Sequence, residues 1–508
     1  MKYFFVLIFL CVELRAARSD TGLDQQLFSA VRRGDVDKIK YLLAHGANVN
    51  VEDGDKRTPL HRAAMADHTD VIKTLVDAGA NANSTSADKN TPLHYTAEWG
   101  NTEAIKYLVD HGANVNAEDD HKRTPLHRSA QNGQTDATKT LIDHRANVNA
   151  EDNWKSAPLH LAAEKNHVET VKTLIEHGAN MNVENQDERT PTRWAVECGH
   201  IDVVKYLIEQ GANINAQSKY KDTLLHWAAE NDHTDIVKYL VEHGANINAK
   251  GFHKETPLHK AAENGNAEEV KYLLKHEASV NAEVFFKQTP THFAAKNGNV
   301  DVIKYLVEHG ENVNVVDGSK RTPLHLAAQN GNIEAVKYLV EHGANVNLAD
   351  SDEYTPILYS AKNGNIELFK YLVEHGANLN AYGRLEYTPL HYAAENGHAE
   401  TVKYLVEHRA QVNAEDEETQ TPLHKAAAKG NVEAIKYLVE HGANINAEEN
   451  YKRTPLHRAA ENGNTEAIKY LVEHGAHIKA EENYKRTSLH WAARNGNREV
   501  PSRPWSQR

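Results

Sequence analysis

Apolar and polar positions alternate along the chain in a pattern that predicts pairs of short helices. Leu60, Ala63 and Ala64 fall on one face of a first predicted helix. In the next copy of the pattern, Ile105 and Leu108 give a second helix the same 3.6-residue period. A polar turn follows before the first pattern returns. The periodicity therefore predicts an all-α protein built from helix-turn-helix units.

The helix pair recurs at a constant interval of 33 residues. Thr-Pro-Leu-His or a close variant opens each copy, without insertion or deletion, at Thr58, Thr91, Thr124, Ala157, Thr190, Thr223, Thr256, Thr289, Thr322, Thr355, Thr388, Thr421, Thr454 and Thr487. We number each repeat from this residue as position 1. A degenerate earlier copy begins at Gln25. Such a period indicates a stacked array, because a single unit cannot bury enough apolar surface alone.

Turn residues mark the ends of both predicted helices. Threonine at position 1 suits the N-cap, and the proline after it suits the first helical position. Glycine at position 10, as in Gly100, Gly133 and Gly265, and again at position 22 predicts left-handed caps. Three copies replace the second glycine, with Arg145, Glu277 and Arg409. We expect softer junctions at these three sites.

Two segments carry a resemblance to a known family. Thr256–Ala262 and Gly112–Ala117, which read Thr-Pro-Leu-His-Lys-Ala-Ala and Gly-Ala-Asn-Val-Asn-Ala, resemble the signature of the ankyrin repeat family. The resemblance extends from residue 25 to about residue 497. It implies an all-α ankyrin-repeat solenoid of stacked helix-turn-helix units with β-turn fingers. It also implies that the concave face and the fingers bind other macromolecules, usually proteins.

The two ends of the sequence differ from the repeats. Met1-Lys2, an apolar run and Ala17-Arg18-Ser19 predict a secretory signal peptide over residues 1–19, with an anchoring helix as the alternative. The expected domains are then a capping repeat at 20–57, thirteen repeats at 58–486, and an incomplete repeat with a proline-containing tail at 487–508. Pro501 and Pro504 preclude a regular second helix there. A truncated reading frame or an end covered by a partner would explain this tail.

The composition and net charge argue against several classes of protein. The 57 basic and 71 acidic residues give a net charge of −14, which argues against nucleic-acid binding. With only Cys11 and Cys198, a disulfide-stapled fold is excluded. No apolar run beyond the first dozen residues approaches the length needed to span a bilayer. We therefore expect no transmembrane segment after removal of the signal peptide. We also expect the chain to be a monomer.

The 32 histidines and the repeated charges do not indicate catalysis or metal binding. Most of the histidines recur at position 4 or ahead of the second cap, where imidazoles can bridge neighbouring repeats by hydrogen bonds. Lysine at position 16 and an acid at position 20 are expected to pair four residues apart on one helix. Cys198 fits an ordinary helix-end thiol. We expect no enzyme activity, cofactor or metal.

Residues that vary between copies are the candidates for partner recognition. The fourteen occupants of position 5 include seven aromatic and five basic residues. This position lies far around the first helix from the core leucine, so we expect it to face away from the stack. Trp, Tyr and Arg anchor many interfaces. The predicted concave-face residues are Arg62, Tyr95, Arg128, Trp194, Trp227, Phe293, Tyr359, Tyr392 and Trp491.

The finger position three residues before each repeat start adds a second set. Its aromatic members, predicted to contact a partner, are Trp154, Tyr220, Phe286, Tyr451 and Tyr484. The alternative for both sets is that the rings pack on neighbouring repeats. Asn83 begins an Asn-Ser-Thr sequon, so it is a possible N-glycosylation site.

Three functions fit these features. The first is a secreted, non-catalytic scaffold that binds protein partners of unknown identity. The second is a secreted toxin or host-directed effector, since latrotoxin-type spider neurotoxins are similar in joining a leader to a long ankyrin array. This chain differs from them because its repeats begin at once. The third is a cytoplasmic ankyrin adaptor, in which the leader is unused.

Overall fold

A computed structural model describes residues 22–494 of the chain. The predicted signal peptide at 1–19 and the proline-containing tail lie outside the described residues. Within residues 22–494 the regular structure is entirely helical. This confirms the all-α, helix-turn-helix prediction.

Each repeat contributes a first helix and, up to the repeat that starts at Thr454, a second helix. Helix α1 spans 22–33 and belongs with α2 to the degenerate first copy. The other first helices are α3 Pro59–Met65, α5 Pro92–Trp99, α7 Pro125–Gln131, α9 Pro158–Glu164, α11 Pro191–Glu197, α13 Leu224–Glu230, α15 Pro257–Asn264, α17 Pro290–Asn297, α19 Pro323–Asn330, α21 Pro356–Asn363, α23 Pro389–Asn396, α25 Pro422–Lys429, α27 Pro455–Glu461 and α29 Ser488–Arg494. The second helices are α2 Val36–Ala44, α4 Thr69–Asp77, α6 Thr102–Asp110, α8 Thr135–Asp143, α10 Val168–Glu176, α12 Ile201–Glu209, α14 Thr234–Glu242, α16 Ala267–Lys275, α18 Val300–Glu308, α20 Ile333–Glu341, α22 Ile366–Glu374, α24 Ala399–Glu407, α26 Val432–Glu440 and α28 Thr465–Glu473.

The helices form two compact units, one up to Asn246 and one from Ile247. Within each unit, first helices pack on the first helices of adjacent repeats and second helices pack on second helices. The leucines at positions 3 and 18, such as Leu126 and Leu141, are completely buried in the resulting core. Fingers connect the repeats. Two of them contain a short 3-10 turn, at Phe252–Lys254 and Arg384–Glu386.

The position-4 histidines tie adjacent repeats together. The backbone N–H of Thr124 donates to Nδ1 of His127 over 3.1 Å, and Nε2 of the same ring lies 3.0 Å from the carbonyl oxygen of Ser156 in the next finger. This pairing assigns the neutral tautomer with the proton on Nε2. Desolvation lowers the pKa of His127 to about 4, so the ring stays neutral. The predicted bridging role is confirmed.

The caps have the expected left-handed geometry. Gly100 and Gly265 have φ of 82° and 84°. Arg145, Glu277 and Arg409 hold the same region with φ of 69°, 69° and 63°. Side chains with a Cβ are disfavoured there, by about 1–2 kcal/mol per residue. The expected softening of these junctions stays a prediction.

The lysine at position 16 pairs differently from the sequence expectation. Lys172 lies 2.6 Å from Glu169, and Lys436 lies 2.8 Å from Glu433, so in both cases the partner is three residues earlier at position 13. The expected pairing with position 20 was wrong for these lysines. Helical side chains lean toward the N-terminus of their helix, which carries the lysine back to the earlier acid.

Candidate interaction surface

Position 5 is less accessible than the sequence predicted. Its residues are half-buried, except for five that are buried: Leu161, Leu326, Tyr392, Lys425 and Trp491. Tyr392 and Trp491 keep only 6% and 8% of their surface exposed. The angle of position 5 on an isolated first helix does not take the neighbouring finger into account. In the fold, the position-5 side chain lies over the finger that precedes its own helix.

Charged residues at position 5 pair with an acid in that finger. Nη2 of Arg128 lies 2.7 Å from Oδ2 of Asp119, whose side chain is completely buried. Lys425 and Asp416 form an equivalent pair over 2.7 Å. The same arrangement joins Arg62 to Asp53 and Arg458 to Glu449. The basic side chains at this position therefore hold the finger against the helix.

Aromatic residues at position 5 contact the preceding repeat. The ring of Tyr95 meets His61 edge-on, with centroids 6.2 Å apart and planes at 79°. Phe293 meets His259 in the same way at 5.5 Å. Trp194 with His160 and Tyr359 with His325 repeat the arrangement. These edge-to-face contacts stabilise the stacking of repeats, so at least part of each ring serves the scaffold.

Trp227 shows how this contact adapts when the histidine is missing. Arg193 occupies position 4 of the preceding repeat, and its guanidinium carbon lies 4.0 Å from the Trp227 ring centroid. Nε of Arg193 also lies 2.7 Å from Oε1 of Glu197, which fixes the guanidinium group. A cation–π contact thus replaces the histidine–aromatic contact. The half-buried ring of Trp227 retains an accessible part.

Tyrosines in the second unit form a hydrogen-bonded cluster. The hydroxyl of Tyr392 donates to the hydroxyl of Tyr354 over 2.7 Å, and the hydroxyl of Tyr359 donates to Oδ2 of Asp350 over 2.7 Å. Desolvation, followed by these hydrogen bonds, raises the pKa of Tyr359 and Tyr392 well above the ordinary value. Both phenols stay neutral, which fits a packing role.

The finger aromatics are the accessible part of the predicted surface. Trp154 is 44% exposed even though it lies near His121 and Arg123. Tyr220, Tyr451, Tyr484 and Phe286 are 51%, 53%, 69% and 72% exposed. Each of these residues therefore has a substantial surface accessible to a partner. Their role in binding stays a prediction.

Several exposed rings lie outside the finger position that was predicted to contact a partner. Phe252 and Phe285 lie one residue earlier in their fingers and are 49% and 60% exposed. Trp99, at the end of α5, is 57% exposed. Their departure from the usual residue at the same repeat position was the signal that could have found them.

Asn83 takes part in a hydrogen-bond series that joins the repeats. Its Nδ2 donates to the carbonyl oxygen of Gly112 over 2.8 Å, and its Oδ1 accepts from the N–H of Asn114 over 2.7 Å. Asn116 makes the equivalent bonds to Arg145 and Asn147. The side chain of Asn83 thus has a scaffold role, while its glycosylation stays a prediction.

Titratable groups in the described chain are arranged for structure. The thiol of Cys198 is exposed, and its pKa is raised by desolvation and then by Glu164 and Glu197, which makes it a poor nucleophile.

Between residues 22 and 494, acids, cysteines and histidines do not cluster in a metal-binding group. In that part of the chain each helix is too short or too polar to cross a bilayer.

Stacked helix pairs with hydrogen-bonded fingers define the molecule as a helical repeat protein. A profile of the ankyrin repeat family, described as ankyrin repeats in three copies, matches residues 10–86, 27–119, 71–152, 118–185, 159–251, 250–317, 292–383, 383–449 and 446–501. The chain belongs to the ankyrin repeat family. Proteins of this family are generally protein–protein interaction modules and typically non-catalytic.

The crystal structure of the human ASB11 ankyrin repeat domain is similar at 30% sequence identity, and the match covers 40% of this chain and 92% of that chain with a TM-score of 0.38. The comparison with curated proteins gives no significant match.

Proposed function

We propose that this chain is a secreted, non-catalytic scaffold that binds protein partners through its fingers and the adjoining position-5 residues. The repeats supply a rigid frame, because buried histidines and asparagine amides join each repeat to its neighbours. The fingers present large aromatic rings from that frame. Aromatic side chains bury much area at low entropic cost, so they suit an interface.

The observation that carries this proposal is the exposure of the finger rings. Scattered single apolar residues are normal on a protein surface. Here, however, the exposed rings recur at one position of the repeat, as in Trp154, Tyr220, Tyr451 and Tyr484. The position-5 rings contribute less accessible area, since they also pack on the preceding repeat.

Affinity capture with the full chain tests the proposal. The wild-type protein is compared with a variant carrying Trp154→Ala, Tyr220→Ala, Tyr451→Ala and Tyr484→Ala, and recovered proteins are quantified by mass spectrometry. A matched control replaces Tyr41, which is 52% exposed on the second helix α2. We expect the finger variant to lose specific partners and the Tyr41→Ala control to retain them. Equal recovery by all three baits would reject the fingers as the binding surface.

Secretion is a separate part of the proposal and rests on the sequence of residues 1–19. Expression in cells with a secretory pathway, followed by N-terminal sequencing of the protein in the medium, tests it. We expect the mature chain to begin at Asp20. Recovery of the chain with Met1 intact from the cytosol would favour the cytoplasmic adaptor instead.

A further inference from the structure

Two adjacent fingers of the second unit differ from the others in chemistry. Residues 251–255 and 284–288 carry Phe252, Phe285 and Phe286, which are 49%, 60% and 72% exposed. The equivalent tip residues in the next finger are Gly318 and Ser319. We call the exposed surface of these two fingers the phenylalanine patch. Exposed apolar surface that is contiguous marks interaction sites more often than scattered residues do.

The rings of Phe252 and Phe285 are linked through His253. His253 packs edge-on against Phe285 at 5.9 Å and lies 3.8 Å from Phe252. Nζ of Lys254 lies 5.0 Å from the Phe285 ring centroid. The N–H of Phe285 donates to the carbonyl oxygen of His253 over 3.0 Å, which joins the two finger backbones. The patch is thus one connected surface across two fingers.

An open groove with a volume of about 490 Å³ adjoins these fingers. This volume falls within the range of ligand sites, about 300–1,000 Å³. Val284 and Phe285 supply apolar walls, and three exposed lysines, Lys250, Lys254 and Lys287, line it together with Glu283. Three cations against one carboxylate give the groove a positive balance in a chain whose net charge is −14.

The fingers of the patch lack an internal acid that eight of the fourteen fingers have. In the finger at 119–123, Oδ1 of Asp119 accepts the N–H groups of His121 and Arg123 over 2.9 and 2.8 Å. Gly251 and Val284 occupy this position in the patch. Neither residue supplies a carboxylate to offset the neighbouring lysines.

A polar amide is also exposed in the groove. Asn314 is joined to the next repeat because its Nδ2 donates to Gly343 and its Oδ1 accepts from Asn345. Asn281 occupies the same repeat position, lines the groove and is exposed. Its exposed amide can donate to and accept from a main chain laid in the groove.

We propose that the phenylalanine patch and its groove bind a short acidic peptide segment that carries an aromatic or aliphatic side chain. Carboxylates of the segment would lie against Lys250, Lys254 and Lys287, its apolar side chain against Phe285, and its main chain against Asn281. A bilayer surface could engage the protruding rings but not the amide within the groove. This inference rests on the proposed function, since it gives the chemistry of one partner segment.

Fluorescence anisotropy with the full mature chain tests the inference. The probe is a labelled peptide set Glu-Glu-X-X-Glu-Glu, in which each X is Phe, Tyr, Trp, Leu or Ile. One control set has lysine in place of glutamate, and another has serine at both X positions. We expect members of the first set to bind at least tenfold more tightly than either control, and to weaken as salt rises because exposed charges are screened. Equal affinity for the three sets would overturn the inference.

Variants locate the site. The charge reversals Lys250→Glu, Lys254→Glu and Lys287→Glu together, or Phe285→Ser with Phe286→Ser, should each weaken peptide binding at least tenfold. Lys304→Glu, Lys337→Glu and Lys436→Glu on second helices give the same change in net charge and should leave affinity within twofold. Circular dichroism melts check that each variant is folded. Equal weakening by the patch and control variants would contradict a local site.

Two further outcomes separate the alternatives. Sedimentation with phosphatidylserine–phosphatidylcholine vesicles that depends on Phe285 and Phe286, without peptide binding, would assign the patch to a lipid surface and overturn the inference. Loss of partners on mutation of the other fingers, without peptide binding here, would also reject it while leaving the proposed function intact. In a third case, the peptide binds the patch, but the variant with alanine at the other finger rings still captures its partners. That result would reject the finger surface proposed above and would leave the patch supported.

Discussion

Single backbone positions show how the repeat tolerates change. The two glycine caps look equivalent in sequence, but they differ in space. A Cβ added to Gly112 would meet no atom within 4 Å, whereas one added to Gly298 would lie 2.9 Å from Cγ of Asn332 in the next repeat. The amide of Asn332 is itself held by the carbonyl oxygens of Ala295 and Lys296. A side chain at residue 112 would therefore strain only the backbone, whereas one at residue 298 would also have to displace the Asn332 amide.

The first prediction concerns a substituted cap in the first unit. Arg145→Gly should stabilise the surrounding repeats by about 1 kcal/mol, because it relieves a left-handed residue that carries a Cβ. Gly112→Arg should destabilise its own repeat by about the same amount, since the space is open and only φ is strained. Hydrogen exchange of amides in residues 141–147 and 108–114 measures both. Unchanged protection in the Arg145→Gly protein would contradict the strain argument.

A buried pair in the second unit replaces two apolar residues of the usual repeat. Thr291 stands where most copies have leucine, and Glu311 stands where most have alanine. The hydroxyl of Thr291 donates to Oε2 of Glu311, and both residues are buried. Desolvation raises the pKa of Glu311 to about 7. The two departures from the repeat compensate each other, which the sequence alone showed only as isolated exceptions.

The second prediction concerns a variant in which the usual apolar residues replace Thr291 and Glu311. Thr291→Leu with Glu311→Ala should stabilise the second unit by about 1–4 kcal/mol, as when buried polar groups give way to packed apolar ones. Thr291→Leu alone should destabilise it, because the buried carboxyl group of Glu311 then loses one of its hydrogen-bond donors. Since the folded pKa of Glu311 lies above its ordinary value, the wild type loses stability as pH rises through about 7. The benefit of the double variant, measured by urea unfolding, should thus be larger at pH 8 than at pH 5; equal benefits would contradict the assignment.

At the scale of the element, repetition made the scaffold predictable from the sequence. Fourteen copies in one register identify the helix pair, the caps and the bridging histidines, because each residue type recurs where the same contact recurs. The exposure of the position-5 side chains was harder to predict from the sequence. Its angle on the helix predicted an exposed face, but Arg128 lies against Asp119 of a finger that a helical projection does not include. The exposed tips were predictable only in part, since Phe252 and Phe285 lie one residue from the position considered.

The third prediction compares two histidines of the first unit. His127→Ala removes the acceptor for the Thr124 N–H and the donor to the Ser156 carbonyl, leaving buried groups unpaired. We expect a loss of about 2–4 kcal/mol in the free energy of unfolding. His111 is exposed and its Nδ1 lies 2.8 Å from the carbonyl oxygen of Tyr107 in its own helix, so His111→Ala should cost less than about 1 kcal/mol. Similar losses measured by denaturant unfolding would show that the inter-repeat bond matters little.

At the scale of the whole molecule, the bridging histidines act together. In a repeat array, stability is the sum of repeat terms and nearest-neighbour terms, so a contribution present in many repeats is multiplied. Buried histidines in both units have a pKa below the ordinary value, mainly through desolvation; among them are His61, His94, His127, His160, His292, His325, His391, His424 and His457. All of them are neutral in the folded chain near neutral pH. Their combined protonation links folding to pH.

The fourth prediction concerns the pH dependence of stability and follows from the lowered pKa of the buried histidines. Unfolded histidines take up protons below about pH 6.5, whereas His127 in the folded chain does so only near pH 4, so the unfolded state binds more protons between these values. The stabilising contribution is complete above pH 6.5 and is lost as pH falls, by up to about 1.4 kcal/mol per pH unit for each histidine. Thermal melts between pH 7.5 and 4.5 should show a steep fall in Tm. His127→Gln should make the fall shallower while His111→Gln leaves it unchanged, because only the first ring is buried between repeats; identical pH profiles for the two variants would contradict the linkage.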